Sequence, residues 1–117
     1  MPLEDRDAAY LWDMLQAAKE VVAMMGDHDL PGFLDNLMLQ RAIERSMEII
    51  GEAARCVSQE GQVATPGIPW REIIGQRNIL AHEYGQIDHE LLYKSAVEDV
   101  PQLISHLEAL LPPIDEA

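Results

Sequence analysis

Cysteine is nearly absent from this sequence of 117 residues, since Cys56 is the only one. No disulfide can therefore form within the chain, and a chain of this length can bury a hydrophobic core without one. We expect a single domain over residues 1–117, in a reducing compartment. Cys56 lies in an apolar stretch and is predicted to be a small buried side chain rather than a catalytic thiol.

Long apolar runs are also absent. No stretch approaches the roughly 18 consecutive apolar residues that mark a transmembrane helix. The N-terminal sequence, MPLED, lacks the basic start and the apolar run of a signal peptide. Together these absences predict a cytoplasmic protein without membrane association.

Positive charge is scarce, with 8 Lys and Arg against 21 Asp and Glu and a formal net charge of −13. A charge of this sign argues against broad electrostatic binding to nucleic acid. The distribution is uneven, however. Residues 1–40 carry two basic and eight acidic side chains, and residues 78–117 carry one and eight, whereas residues 41–77 carry five arginines and five glutamates.

The five central arginines have two interpretations. Most are expected to pair with glutamates at helical spacing, as Arg41 would with Glu44 and Arg45 with Glu48. Arginine is also suited to bidentate contact with phosphate, so a local phosphate site stays open. The acidic flanks could in turn receive a basic partner.

The alternation of β-branched residues that marks strands is missing as well. Apolar residues instead recur at three- and four-residue steps, which predicts an all-α fold of four or five helices in an up-and-down bundle. The predicted helices are residues 5–26, 31–59, 69–83 and from 88 onward, with a loop over residues 58–69.

Two details of these helices are informative. Gly51 lowers helix propensity in the middle of the second helix and indicates that another helix approaches closely there. Glu52 follows it, where another helix or chain could come near. Pro101 is expected to kink or break the fourth helix near Asp99 and Val100, and residues 112–117 are expected to fray.

Residues 77–84 concentrate the functional groups of the chain: a guanidinium, an amide, an imidazole and a phenol. Asn78 and His82 are four residues apart and share a helix face. Arg77 and His82 are five apart, about 140° around the helix. They can converge on one ligand only if the helix ends near His82, or if two copies of the stretch build the site across a two-fold axis.

These groups suit phosphate chemistry. A histidine that titrates near neutrality can take a proton from a ribose 2′-hydroxyl or give one to a leaving oxygen. Arginine can stabilise the charge that develops on phosphorus, and asparagine can orient the imidazole or the phosphate. Such a set would cleave RNA without a metal ion. On residue chemistry alone, capping and packing are the commoner roles of such side chains.

The spacing Arg77-x4-His82-x-Tyr84 resembles the R-x4-H-x-Y motif of the HEPN superfamily, specifically its HepT-like toxins. Three further stretches match that family's pattern in order and spacing, namely residues 50–53, 68–70 and 87–88. The resemblance covers most of the chain.

The resemblance implies a helical domain that dimerises through its motif-bearing helices and forms a cleft between the subunits. It implies a metal-independent endoribonuclease without a cofactor, in which Arg77 and His82 are the catalytic pair and Asn78 is an auxiliary polar residue. It also implies a partner, a minimal nucleotidyltransferase antitoxin that silences the toxin by transferring AMP from ATP to Tyr84, as in type VII-like toxin–antitoxin systems.

The net charge confines RNA contact to such a cleft, with Arg41, Arg45 and Arg71 as candidate contacts. Two other hypotheses compete. The chain could be a non-catalytic module that binds a nucleotide or docks the nucleotidyltransferase, or a structural helical domain without a site.

Overall fold

The computed structural model describes residues 5–83, 85 and 87–112, and this part of the chain is helical between short connections, without a strand. Its α-helices are α1 (Asp5–Met25), α2 (Leu30–Leu34), α3 (Leu37–Cys56), α4 (Gln59–Ala64), α5 (Trp70–His82), α6 (His89–Lys94) and α7 (Val100–Leu110). A π-helical segment, Ser95–Asp99, joins α6 to α7. The all-α prediction is confirmed, the described residues form more helices than the four or five predicted, and the up-and-down bundle stays a prediction. Over the described residues, no helix combines the length and hydropathy of a membrane span.

The core forms around α3, which packs against both α1 and α5, while α1 also packs against α7. The helices α1 and α3 bury much of the apolar stripes that the sequence predicted, but Val22 of α1 and Leu37 and Met38 of α3 are exposed. Burial of a large aliphatic or aromatic side chain contributes about 1.5–3 kcal/mol, so these contacts supply most of the favourable free energy. The largest fully buried side chains are Leu11, Met14, Val21, Phe33, Ile43 and Leu107.

The prediction of one continuous helix over residues 31–59 is wrong, because α2 and α3 are separate helices. Asn36 caps α3, and its Oδ1 accepts a hydrogen bond from the Leu39 N–H at 3.0 Å. Asp29 caps α2 in the same way, accepting from the Gly32 N–H at 2.9 Å. Asparagine and aspartate satisfy the free N–H groups of a first helical turn, and this outweighs the apolar periodicity that runs through both helices.

The loop predicted over residues 58–69 contains the short helix α4. Ser58 begins it, since its Oγ accepts from the Gly61 N–H at 3.0 Å. The same hydroxyl donates to Asp7 Oδ2 at 2.6 Å, and the Ser58 N–H donates to Asp7 Oδ1 at 2.9 Å. Asp7 is itself buried in α1. One aspartate thus ties the start of α1 to the junction of α3 and α4.

Cys56 is exposed at the end of α3, so the prediction of a buried thiol is wrong. Its neighbours Ala53, Ala54 and Val57 are buried.

The break near Pro101 is confirmed, and it takes the form of a widened turn. The Val100 N–H donates to the Ser95 carbonyl, five residues back, instead of to the carbonyl four back. In an α-helix the Pro101 ring would collide with the carbonyl of Val97. The π-helical segment relieves that collision, and α7 begins at Val100. The prediction for residues 112–117 falls outside the described part of the chain, except for Pro112.

Candidate active site

The helix α5 carries the predicted catalytic residues and is anchored at its start by Trp70. The Trp70 indole Nε1–H lies 3.2 Å from both the backbone carbonyl and the hydroxyl of Thr65. Trp70 and Leu80 are the buried residues of α5. The helix ends at His82, where the Glu83 N–H donates to the Ile79 carbonyl at 2.8 Å. His82 is therefore the last residue of α5. A helix end near His82 was one of two arrangements in which Arg77 and His82 could converge on one ligand.

Arg77 packs directly against α3 at Gly51. A Cβ atom at position 51 would overlap the Cβ of Arg77 and would lie 2.8 Å from its Cγ and 3.1 Å from the Ile73 carbonyl oxygen. Only glycine leaves room for this approach. The close helix contact predicted from Gly51 is confirmed, and its other member is the arginine of the motif.

The Arg77 guanidinium is held by two neighbours. Its Nη2 forms an ion pair with Glu52 Oε1, and its Nη1 donates to Asn78 Oδ1 at 3.0 Å. The side chain is only 13% exposed. Its Nε is buried and finds no acceptor among the described residues. The guanidinium is thus fixed in place, and its buried Nε–H is left without an acceptor.

The sequence does not reveal that Glu52 contacts Arg77. It indicates only that another helix or chain could come near Glu52. The structure makes it the ion-pair partner of Arg77 on α5, and Arg55 Nη1 lies 4.0 Å from the same oxygen. The signal was the neighbouring Gly51, which marks the helix contact without naming the partner.

His82 and Asn78 face outward on α5, and both are exposed. Arg71 is exposed on the same helix, seven residues before Asn78 and eleven before His82, and this spacing places all three side chains on one face. Gly75 lies on this face as well, and no atom lies within 4 Å of the Cβ position that it lacks. We call these four residues, Arg71, Gly75, Asn78 and His82, the outer face of α5.

The structure therefore brings Arg77, Asn78 and Glu52 together and leaves His82 on a different side of α5. Arg77 reaches toward α3, whereas the outer face points about 140° away. Tyr84, the predicted acceptor of AMP, lies outside the described residues.

The predicted pairing of the central arginines with glutamates is confirmed for α3. Arg41 Nη1 lies 2.9 Å from Glu44 Oε2, and Arg45 Nη1 lies 3.6 Å from Glu48 Oε1. Both arginine side chains are more than half exposed. Whether they and Arg71 contact RNA stays a prediction.

Comparison with known proteins gives a consistent result. The model of a family described as "Ribonuclease HepT-like" matches residues 14–110. The chain is 41% identical over 100 residues to "Putative RNase MJ1380" of Methanocaldococcus jannaschii. The aligned residues cover 86% of this chain and 92% of that protein. It is 34% identical over 101 residues to "Probable ribonuclease HepT" of Thermococcus cleftensis, again over 86% and 92% of the two chains. No solved structure matches the chain.

Proposed function

This chain belongs to the HepT-like ribonuclease family of the HEPN superfamily, and from that premise we propose that it is a metal-independent endoribonuclease. The observation that carries the proposal is the position of His82 at the exposed end of α5, on one face with Arg71 and Asn78. An accessible imidazole with an amide one turn before it on the same face provides a proton acceptor and a phosphate ligand on a single rigid helix.

In the proposed reaction, His82 accepts the proton of a ribose 2′-hydroxyl, and the freed oxygen attacks the adjacent phosphorus. The bond from phosphorus to the 5′-oxygen breaks, and that oxygen receives a proton from an imidazolium or from water. We assign to Arg77 the stabilisation of the additional negative charge on the phosphate oxygens. The products are a 2′,3′-cyclic phosphate and a free 5′-hydroxyl.

We further propose that the site is composite, built from two copies of the chain. Arg77 and His82 diverge by about 140° on α5, so one copy does not direct both at the same phosphate. A two-fold dimer formed along the outer faces of α5 would set the imidazole of one copy against Arg71 and Asn78 of the other. The open space at Gly75 and the 42% exposure of Ile79 support close packing of a second helix here.

The proposed role is that of the toxin in a type VII-like toxin–antitoxin pair in the cytoplasm, where RNA and ATP are available. The partner is a minimal nucleotidyltransferase that transfers AMP from ATP to the Tyr84 hydroxyl and releases pyrophosphate. Tyr84 follows His82 by two residues in the sequence. Adenylylation would add a bulky anion next to the catalytic pair and compete with the RNA phosphate.

The test compares the protein produced alone with the protein produced together with its neighbouring nucleotidyltransferase. Each preparation is analysed by intact mass and incubated with total RNA in the presence of EDTA. We expect the lone protein to cleave RNA, and a mass gain of one or more AMP units on Tyr84 to stop cleavage. His82→Ala should reduce the rate at least about 100-fold. The matched control is His28→Ala, which removes an exposed histidine from the connection between α1 and α2.

One observation favours a second candidate, a non-catalytic module that docks the nucleotidyltransferase. Arg77 is mostly buried and already engaged by Glu52, in a protein with a net charge of −13. On this alternative the two proteins co-purify, but neither preparation cleaves RNA. That outcome would end the ribonuclease proposal and leave the docking role.

A further inference from the structure

A groove of about 520 Å³ lies along a side of α5 that is distinct from the outer face. Its walls come from α3, from α5 and from the continuous path of α6, the π-helical segment and α7. Arg77, Asn78 and His82 are not among the residues that line it. The groove is therefore separate from the proposed active site, although both use α5.

The floor of the groove is apolar. Met47 and Ile50 from α3 and Val100 and Leu103 from the α7 side are core residues whose side chains reach it. Leu91 stands at the edge with 63% of its surface exposed. Exposed apolar surface in a concave site gains free energy when a partner covers it.

The charged groups of the groove are acidic. Glu72 on α5 and Asp99 on the π-helical segment lie on its walls, and both are exposed. No lysine or arginine is found among the described residues that line the groove, and the one imidazole there is that of His106 on α7. The groove therefore combines an apolar floor with carboxylates on its walls.

The π-helical segment forms one wall. Ser95 and Asp99, its first and last residues, and Val100 directly after it all line the groove. Widened turns of this kind occur frequently at functional sites because they displace side chains from the regular helical register. Here the widened turn presents a carboxylate next to apolar side chains.

We propose that this groove docks a segment of a partner protein that presents apolar side chains flanked by lysine or arginine, such as a basic amphipathic helix. Apolar side chains of such a helix would cover Leu91 and the floor, and its cations would face Glu72 and Asp99. The inference goes beyond the proposed ribonuclease activity and does not depend on it.

Two other occupants are less suitable. RNA would bring phosphates against Glu72 and Asp99, and no lysine or arginine among the described residues that line the groove would receive them. Insertion of a second copy into the groove would be a head-to-tail contact, which either closes a ring or continues as a filament and would not give the proposed two-fold dimer.

The test uses a synthetic probe, a fluorescein-labelled helical peptide of leucine and lysine, and a matched peptide with glutamate in place of lysine. Binding to the full chain is followed by fluorescence anisotropy at physiological ionic strength. We expect the lysine peptide to bind and the glutamate peptide not to bind. Leu91→Arg and Asp99→Lys should each weaken binding by about tenfold or more.

The control variants lie on the π-helical segment, at positions that do not line the groove. Val97→Arg matches the apolar-to-cationic change at Leu91, and Glu98→Lys matches the charge reversal at Asp99. Both controls should bind the lysine peptide within about twofold of the original chain. Circular dichroism and the urea midpoint verify that all four variants are folded.

Three outcomes would overturn the proposal. Equal weakening in the control variants would show general attraction of a cation to an acidic protein. Loss of self-association in Leu91→Arg and Asp99→Lys alone, measured by light scattering, would assign the groove to a second copy. Binding of a labelled oligoadenylate that disappears in the same two variants would assign it to RNA.

Discussion

At the scale of single residues, the pairing of Arg77 with Glu52 determines how the guanidinium is presented. An arginine that is 13% exposed has lost much of its hydration, and a carboxylate partner offsets that loss. The ion pair and the hydrogen bond to Asn78 also hold the planar group in one orientation. A fixed guanidinium needs little rearrangement when charge develops on a nearby phosphate.

The ion pair can be measured through Glu52→Gln. We expect the free energy of unfolding to fall by about 1 kcal/mol, because the substitution leaves a largely buried cation without its counter-charge. Glu52 is itself 43% exposed, and solvent screening keeps the loss at this low value. The measurement is urea denaturation of both proteins under identical conditions.

Glu48→Gln is the matched control for that experiment. It makes the same change one turn earlier on α3, where the partner Arg45 is 66% exposed. Its effect should stay within about 0.5 kcal/mol, as for surface pairs generally. Equal losses in the two variants would mean that Arg77 gains nothing particular from Glu52.

A second residue-scale prediction concerns glycine. Gly51→Ala should destabilise the chain by about 1–3 kcal/mol, because the new methyl group would occupy the place of the Arg77 side chain. Gly75→Ala makes the same change on α5 in open space and should stabilise a lone chain by about 0.5–1 kcal/mol through helix propensity. Thermal unfolding compares the two. A loss of stability in Gly75→Ala would instead indicate that a second copy packs against the outer face.

At the scale of elements, Asp7 links three helices through Ser58. Asp7→Ala should cost about 1–3 kcal/mol, because the Ser58 N–H and hydroxyl lose their acceptor in a partly buried site. Asp13→Ala removes an exposed carboxylate from the same helix and should be close to neutral. Urea denaturation measures both, and similar midpoints for the two variants would contradict a structural role of Asp7.

The elements also show how far sequence reasoning reached. The starts of α5 and α6 and the end of α1 were predicted, because Pro69, Asp88 and Gly26 act through local chemistry. Asp88 Oδ1 does accept from the Glu90 and Leu91 N–H groups at 3.1 Å. Gly26 has a φ of +46°, a conformation that favours glycine.

Other features depend on contacts that are distant in sequence. The α2–α3 break was missed because the apolar stripe continues through it, and only the capping oxygen of Asn36 reveals it. The exposure of Cys56 depends on which parts of the fold cover the last turn of α3, and the apolar residues around it in the sequence do not reveal this. The pairing of Arg77 with Glu52 joins residues 25 positions apart and requires α3 and α5 to be in place first. By contrast, the outer face of α5 follows from spacing alone.

At the scale of the whole molecule, the charge of −13 sets how RNA can bind. Repulsion from most of the surface leaves only a few arginines to contact phosphates, so affinity for RNA should depend weakly on salt. Each phosphate contact with a single strand contributes a slope of about −0.7 in log affinity against log salt. Three or fewer contacts per copy therefore give a shallow slope.

Arg71→Gln tests this expectation directly. With His82→Ala present to prevent cleavage, it should weaken binding of a short single-stranded RNA and make the slope shallower by about 0.7. Arg6→Gln removes an exposed arginine from α1 and should leave the slope unchanged. Anisotropy titrations at several salt concentrations measure both, and identical slopes would exclude Arg71 from the RNA contact.

The widened turn at Ser95–Asp99 has a consequence for chain length. A π-helical turn is equivalent to an α-helix with one residue inserted. Loss of one residue there, together with Pro101→Ala, would restore α geometry while Leu92 and Leu103 still face the core. The same loss elsewhere in α7 would rotate every later side chain by about 100°. This segment is thus where the helix can change in length by one residue and keep its core contacts. Such a deletion would displace the carboxylate of Asp99 from the groove.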